Sequence, residues 1–199
     1  MQRRLLALAL LASALTPAIE AQPDSAYYGL SIGEFDYSDR AAGLPGVFND
    51  SVDSWRVTIG YQFLKHFAFE GSYGKTSTIR DTVPGLAPGS TFAFETELDK
   101  ILGFRALGTF PFENGLSLMA GMGFVGFEQD VALSLNGAPF LGGEIEEDYL
   151  PAFYFGVQYD WDRVALRLSY EKWDFDSSSV LIFVGSDAQE VALSFFYKL

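Results

Sequence analysis

Apolar and polar residues alternate along most of this chain, which is the pattern of β-strands that have one apolar face. Between Trp55 and Phe63 every odd-numbered residue is large and apolar, whereas the even-numbered residues are polar or glycine. The same period of two returns in seven further segments, which begin at or near Tyr28, Phe67, Leu102, Leu116, Phe153, Val164 and Val191. The pattern therefore predicts eight strands, and no segment after the first 21 residues has the period or the apolar length of a helix.

The connections between these strands fall into two alternating classes. Three are short turns, at 64–66, 111–115 and 161–163. Four are longer and rich in Gly, Pro, Ser and Asp, around 38–53, 76–95, 129–148 and 174–187. Short periplasmic turns that alternate with long external loops are typical of outer-membrane barrels, so we expect both termini to be periplasmic.

The first residues predict export from the cytoplasm. Arg3 and Arg4 precede an uncharged apolar stretch from Leu5 to Leu15, which suits a secretory signal and is too short to span a bilayer as a helix. No Ser or Thr precedes the arginine pair and no Phe-Leu-Lys follows it, so the general secretion route is favoured over the twin-arginine route. We expect cleavage after Ala21, which divides the chain into a signal peptide at 1–21 and a barrel domain at 22–199.

Alternation by itself also fits a soluble sandwich, in which the apolar faces meet and the polar faces contact water. The signal peptide and the alternation of loop lengths favour the membrane barrel. Aromatic residues near the strand ends support two membrane interfaces. The predicted periplasmic group is Tyr28, Phe63, Phe67, Phe110, Phe112, Tyr159, Trp161 and Tyr197, and the opposite group is Trp55, Tyr73, Tyr149 and Trp173.

Composition narrows the function further. The chain has 19 Phe, 10 Tyr and 20 Gly in 199 residues, which are proportions typical of a barrel. A net charge of −13 disfavours nucleic acid as a partner. The absence of cysteine excludes a lipid-anchored cysteine, disulfide bonds and a thiolate metal site.

The order of several short motifs resembles the OmpA/OmpX-type small outer-membrane proteins, the outer-membrane protein β-barrel domain family. The motifs are Tyr28–Gly33, Gly60–Phe63, Phe67–Gly74, Leu166–Glu171 and the alternating C-terminal strand. The resemblance implies an all-β, eight-stranded, antiparallel, up-and-down transmembrane barrel in the bacterial outer membrane. It also implies outer-membrane lipid and the barrel assembly machinery as partners, and we expect a monomer without a cofactor.

Two features depart from the family pattern. The chain ends in Leu199, whereas the family often ends in Phe, a feature that the assembly machinery reads. In the first strand Glu34 and Asp36 fall on the apolar parity, while Phe35 and Tyr37 change faces. We therefore predict a β-bulge or an early exit from the membrane at this point.

Neither catalysis nor metal binding is predicted. The lone histidine, His66, lies in a predicted periplasmic turn, whereas barrel enzymes that modify lipid A use a His and a Ser together at the external side. We expect the protein not to be an enzyme. The acidic run Glu144, Glu146, Glu147 and Asp148 has the oxygen ligands of a divalent-cation site, but a solvated charged loop is the favoured interpretation.

Strand parity separates the arginines from the lysines. The inward positions carry Arg56, Glu70, Arg105, Arg167 and Glu171, which predicts a charge network inside the barrel. Glu70 and Arg105 are predicted to pair, with Arg167 at the same level and Arg56 and Glu171 higher. Because eight strands enclose a space that side chains just fill, we expect a plugged lumen, with a small porin or channel as the alternative.

The outward positions beyond the apolar band carry Lys75, Lys100 and Lys172. We expect these lysines to face lipopolysaccharide phosphates, which flexible ammonium groups can reach; the competing interpretation is that they only terminate strands. The sequence thus predicts an integral outer-membrane protein with a structural and surface-interaction role, in envelope integrity and loop-mediated binding.

Overall fold

A computed structural model of the protein describes residues 25–38, 49–84, 89–174 and 187–199. The predicted signal peptide lies outside these residues. The described residues contain no helix long and apolar enough to cross a membrane. The strands are β1 (Ser25–Ser38), β2 (Asn49–Leu64), β3 (Phe67–Thr76), β4 (Ile79–Pro84), β5 (Thr91–Pro111), β6 (Leu116–Leu135), β7 (Ala138–Trp161), β8 (Val164–Asp174) and β9 (Asp187–Lys198).

The strands form one antiparallel sheet that closes on itself. Neighbours in sequence pair with each other except β3 and β4, which both pair with β5, and β1 pairs with β9. β3 and β4 pair with successive parts of β5, so they act as one strand that is interrupted at Ser77 and Thr78. The predicted eight-stranded up-and-down barrel is therefore confirmed.

The two ends of the described chain, Ser25 and Leu199, and the short turns lie at one end of the barrel, which we call the terminus end. Turns at Lys65–His66, Glu113–Asn114 and Asp162–Arg163 connect the strands there, as predicted. The Leu199 amide donates to the Ala26 carbonyl at 2.9 Å, which holds the two ends of the described chain together. The opposite end is the loop end.

The predicted long loop at 129–148 is wrong, because β6 and β7 continue through it as a hairpin. Only Asn136 and Gly137 separate the two strands, with φ of 51° and 79°, the left-handed conformations that a tight type I′ hairpin turn requires. The Asn136 amide donates to the Thr91 carbonyl at 2.9 Å. Together with β4 and the first half of β5, this hairpin extends the sheet beyond the barrel; we call it the projecting sheet.

Two expectations about the loop end need correction. Of the two alternatives predicted for β1, a bulge or an early exit from the membrane, the bulge is absent, because β1 keeps an unbroken register with both β2 and β9 from Tyr27 to Ser38. Glu34 points outward and Phe35 inward with full burial, so the strand keeps its parity while the polarity of its two faces reverses. Trp173, expected in the outer aromatic girdle, is fully buried inside the barrel.

Below this reversal the outer face is an apolar belt. Ile59, Phe104 and Met122 are among its members and are 66, 56 and 65% exposed. On the same strands the inward positions carry the buried polar and charged side chains. The belt ends toward the loop end where Glu34, Asp53 and Lys75 take the outward positions after Ile32, Trp55 and Tyr73.

Candidate functional site

The lumen at the level of the belt is organised around Glu70 on β3. Its carboxylate accepts hydrogen bonds from Arg167 Nη1 at 2.6 Å, from Arg105 Nε at 2.8 Å and from Tyr27 Oη at 2.6 Å. Glu70 and Arg105 are cross-strand partners on β3 and β5, whereas Arg167 and Tyr27 reach across from β8 and β1. One carboxylate thus ties four strands together.

Toward the loop end the contacts continue from Arg105. Arg105 Nη1 lies 3.5 Å from Glu171 Oε1, and Arg56 Nη1 donates to Glu171 Oε2 at 2.5 Å. Arg56 Nη2 lies 2.7 Å from Glu190 Oε2, and the Ser54 hydroxyl donates to Glu190 Oε1 at 2.5 Å. Cations and carboxylates therefore alternate up the lumen.

Toward the terminus end the contacts continue from Arg167. Arg167 Nε donates to Gln158 Oε1 at 2.9 Å, and Gln158 Nε2 donates to Asp160 Oδ1 at 2.9 Å. Lys198 Nζ lies 2.6 Å from the same Asp160 oxygen. Together these contacts form one chain of polar side chains along the lumen, which we call the charge column.

The charge column is balanced and closely packed. Three arginines and one lysine face four carboxylates: Arg56, Arg105, Arg167 and Lys198 against Glu70, Glu171, Glu190 and Asp160. Aromatic rings cover the guanidinium groups, with Arg167 Cζ 4.1 Å from the Phe196 ring centre and Arg105 Cζ 4.4 Å from that of Tyr154. A cavity of about 20 Å³ lies near the terminus end, which is space for about one water molecule.

The structure brings together all five side chains of the predicted network, Arg56, Glu70, Arg105, Arg167 and Glu171. The sequence reasoning did not include Tyr27, Glu190, Asp160 or Lys198. Glu190 and Lys198 have the inward parity of the last predicted strand. If that strand is extended by one residue at its start, to position 190, its even-numbered positions include both charged residues. Tyr27 carries no such signal, because an aromatic residue beside Tyr28 resembles a girdle residue.

The lumen at the loop end has the opposite chemistry. Apolar side chains fill it, and we call this set the apolar plug: Phe35, Leu98, Ile101, Val125, Phe127, Leu150, Ala152, Trp173 and Ala188. The ring centre of Trp173 lies 4.9 Å from that of Phe35 and 5.9 Å from that of Phe127. Arg56 Cζ lies 5.3 Å from the Trp173 ring, so the indole is the contact between the plug and the charge column.

The three lysines of the predicted lipopolysaccharide site lie outside the lumen. Lys75 Nζ donates to Glu97 Oε1 at 3.1 Å, and Lys100 pairs with Glu128. Lys172 is half-buried on the outward parity of β8. Beyond the apolar belt, hydrogen bonds from Thr78 and Lys75 lower the pKa of Glu97. Two of the lysines are therefore already neutralised by carboxylates on neighbouring strands.

The other side chains considered for chemistry show no assembled site. His66 is exposed, and its Nδ1 lies 3.0 Å from the Thr109 carbonyl oxygen. The side chains of Glu144, Glu146, Glu147 and Asp148 lie outside the described part of the chain. Among the residues that the structure describes, no group of three or more His, Asp or Glu side chains is arranged to hold a metal ion.

Comparison with known proteins identifies the family. The sequence profile of the outer membrane protein beta-barrel domain family matches residues 5–198. The chain belongs to this family. A search of curated protein sequences gave no significant match.

Solved outer-membrane barrels share the fold at low sequence identity. Neisserial surface protein A is 13% identical with a TM-score of 0.56, over 87% of this chain and 97% of that protein. Ail of Yersinia pestis is 15% identical with a TM-score of 0.54, over 89% and 100%. The N-terminal barrel of OprF from Pseudomonas aeruginosa is 13% identical with a TM-score of 0.57, over 89% and 100%. The resemblance predicted from the motifs is thus confirmed for family and fold.

Proposed function

We propose that this protein is a closed structural barrel of the outer membrane, which supports the envelope and presents a rigid surface at its loop end. The filled lumen, with the charge column at the level of the belt and the apolar plug at the loop end, is the observation that carries the proposal. A conducting pore needs a continuous hydrated path, whereas here paired side chains occupy the lumen from Lys198 to Ser54. Each buried charge of the described lumen has an opposite charge within 3.5 Å, so these charges are paired without bulk water.

The proposal includes an orientation in the membrane. The terminus end, with its short turns, faces the periplasm, and the loop end faces the outside, which is the arrangement of outer-membrane barrels. The projecting sheet then rises beyond the lipid headgroups. Outer-membrane lipid and lipopolysaccharide surround the belt of a monomeric barrel.

The projecting sheet is the proposed interaction surface. Its hairpin turn is hydrogen-bonded to β5: the Asn136 amide donates to the Thr91 carbonyl, and the Thr91 amide donates to Asn136 Oδ1. These two bonds fix the tip of the hairpin against the neighbouring strand. Outward carboxylates at its base include Glu97, Asp99 and Asp130. One solved structure of Ail contains a heparin analogue, sucrose octasulfate, but a base rich in carboxylates favours neutral or cationic partners for this chain.

An enzyme is not favoured by the described residues. The exposed His66 lies at the terminus end, and its Nδ1 contacts the Thr109 carbonyl oxygen. In the described part of the chain this imidazole contacts no side chain that could serve as a nucleophile. The protein is therefore proposed to act through its surface and its stability.

Planar-bilayer recording of the purified protein tests the closed barrel. We expect a baseline without discrete current steps, because the charge column and the apolar plug both fill the lumen, and the cavity beside the column near the terminus end has space for about one water molecule. A large porin, reconstituted in parallel, controls for insertion, and a shift in gel migration after boiling controls for folding. Reproducible unitary steps from folded protein would overturn the proposal in favour of a small channel.

A further inference from the structure

The lumen is filled twice, by unlike chemistry at two levels. The charge column occupies the level of the apolar belt, and the apolar plug occupies the loop end. We propose that Trp173, with the plug around it, is the permeability barrier of the barrel, while the charge column mainly fixes the pairing of the strands. The inference rests on the proposed function, because it identifies what keeps the proposed closed lumen closed.

Trp173 is placed to block the lumen. Its side chain points from β8, a strand of the barrel wall, into the lumen and is fully buried there. From β8 its ring packs against Phe35 on β1 and Phe127 on β6, and it lies against the guanidinium of Arg56 on β2. None of these three strands neighbours β8 in the sheet. The indole therefore crosses the interior of the barrel.

The two fillings differ in what they offer to a passing ion or water molecule. Along the charge column each level supplies donors and acceptors, such as Glu70 with three donors and Glu171 between two arginines. A hydrated ion can exchange partners with such groups when the side chains move. The plug supplies hydrocarbon and aromatic surface, and apolar constrictions stop conduction by excluding water.

Neighbouring side chains make the plug deep. Ile101 and Val125 are at most 1% exposed on β5 and β6, and Leu98 is the next inward residue of β5 toward the loop end. A positive φ at Lys100 marks the bulge between Asp99 and Leu102, and the extra residue lets Leu98 and Ile101 both point inward while Lys100 stays outside. Several layers of apolar side chains thus separate the charge column from the loop end.

The test replaces Trp173 and measures conductance in planar bilayers and the entry of small hydrophilic solutes into liposomes. For Trp173→Ala we expect current steps and solute entry that the unchanged protein does not show. For Trp161→Ala, a matched control at an outward tryptophan that is 56% exposed, we expect the unchanged baseline. Arg105→Leu breaks the charge column while the plug remains, and we expect it to stay closed.

Further variants keep the test decisive if Trp173→Ala does not fold, as judged by gel migration before and after boiling. Phe127→Ala removes the ring stacked on Trp173 and is expected to conduct, whereas Trp173→Phe retains an aromatic plug and is expected to stay closed. A closed, folded Phe127→Ala or Trp173→Ala protein would overturn the inference, as would conduction by Arg105→Leu. Steps from the unchanged protein would instead overturn the closed barrel itself.

Discussion

The two halves of the lumen use the same strands for opposite chemistry. On β1, Ser31 and Phe35 both point inward, yet one contacts the Ser194 hydroxyl at 2.8 Å and the other packs on Trp173. The outward residues reverse in step, from Ile32 to Glu34. Side chains continue to alternate inward and outward along β1 without a break. The reversal of polarity therefore reflects a change in the medium around the barrel, from lipid to water, and not a change in the strand.

This comparison shows what each medium requires of the interior. Where lipid hydrocarbon surrounds the barrel wall, apolar side chains are no more stable inside the lumen than on the outer face. Polar and charged side chains can therefore fill the lumen if all of them are paired. Where water surrounds the wall, stability comes from burying apolar surface, as in a soluble protein. The protein therefore has a charged core at the level of the apolar belt and an apolar core at the loop end, beyond the belt.

The largest expected effect comes from removing the centre of the charge column. Glu70→Leu leaves Arg105 without its 2.8 Å partner and Arg167 without its 2.6 Å partner. Stripping one member from a buried pair costs about 3–5 kcal/mol. We expect a loss of this size in the free energy of unfolding, measured by urea titration in lipid vesicles with tryptophan fluorescence.

Glu34→Leu is the matched control for that measurement. Glu34 accepts a hydrogen bond from Ser51 at 2.6 Å, but it is exposed on the outer face, so its loss should cost less than about 1 kcal/mol. Equal costs for the two variants would mean that the charge column contributes no more than surface polar contacts.

A smaller effect tests the boundary between the two media on one strand. Ile59 and Asp53 share the outward face of β2, and Ile59 lies in the apolar belt. Arginine on the lipid face costs about 2–4 kcal/mol near the midplane and about 0–1 near the interface. We expect Ile59→Arg to be costly and Asp53→Arg nearly neutral in the same unfolding assay. Similar costs at both positions would place the boundary elsewhere.

The sequence predicted the part of the barrel inside the apolar belt better than the part at the loop end. Alternation identified the strands and the inward parity of Arg56, Glu70 and Arg105, because in the belt the large residues face out and the polar residues face in. The same rule failed at Phe35 and Trp173. Alternation shows that a strand has two unlike faces but not which medium each face meets, so the reversal at Glu34 was interpreted as either a bulge or an early exit from the membrane.

The turn at Asn136 and Gly137 illustrates a second limit. Asn-Gly between alternating strands is a strong hairpin signal, but the surrounding acidic and glycine-rich residues have the composition of a loop. Pairing across the hairpin, from Leu135 with Ala138 down to Leu116 with Tyr159, outweighs that composition. Cross-strand register is a tertiary property, and no single segment of the sequence contains it.

The smallest expected effect concerns the outer rim, where the belt meets the headgroups. Changing Lys75, Lys100 and Lys172 together to Gln should lower the free energy of unfolding by less than about 1 kcal/mol, because exposed ion pairs contribute little. If these lysines bind lipopolysaccharide phosphate, the variant should copurify with less lipopolysaccharide. Glu97 and Glu128 compete for two of the lysines, so Glu97→Gln with Glu128→Gln should raise copurification. Unchanged copurification in both variants would show that the lysines serve only to pair neighbouring strands.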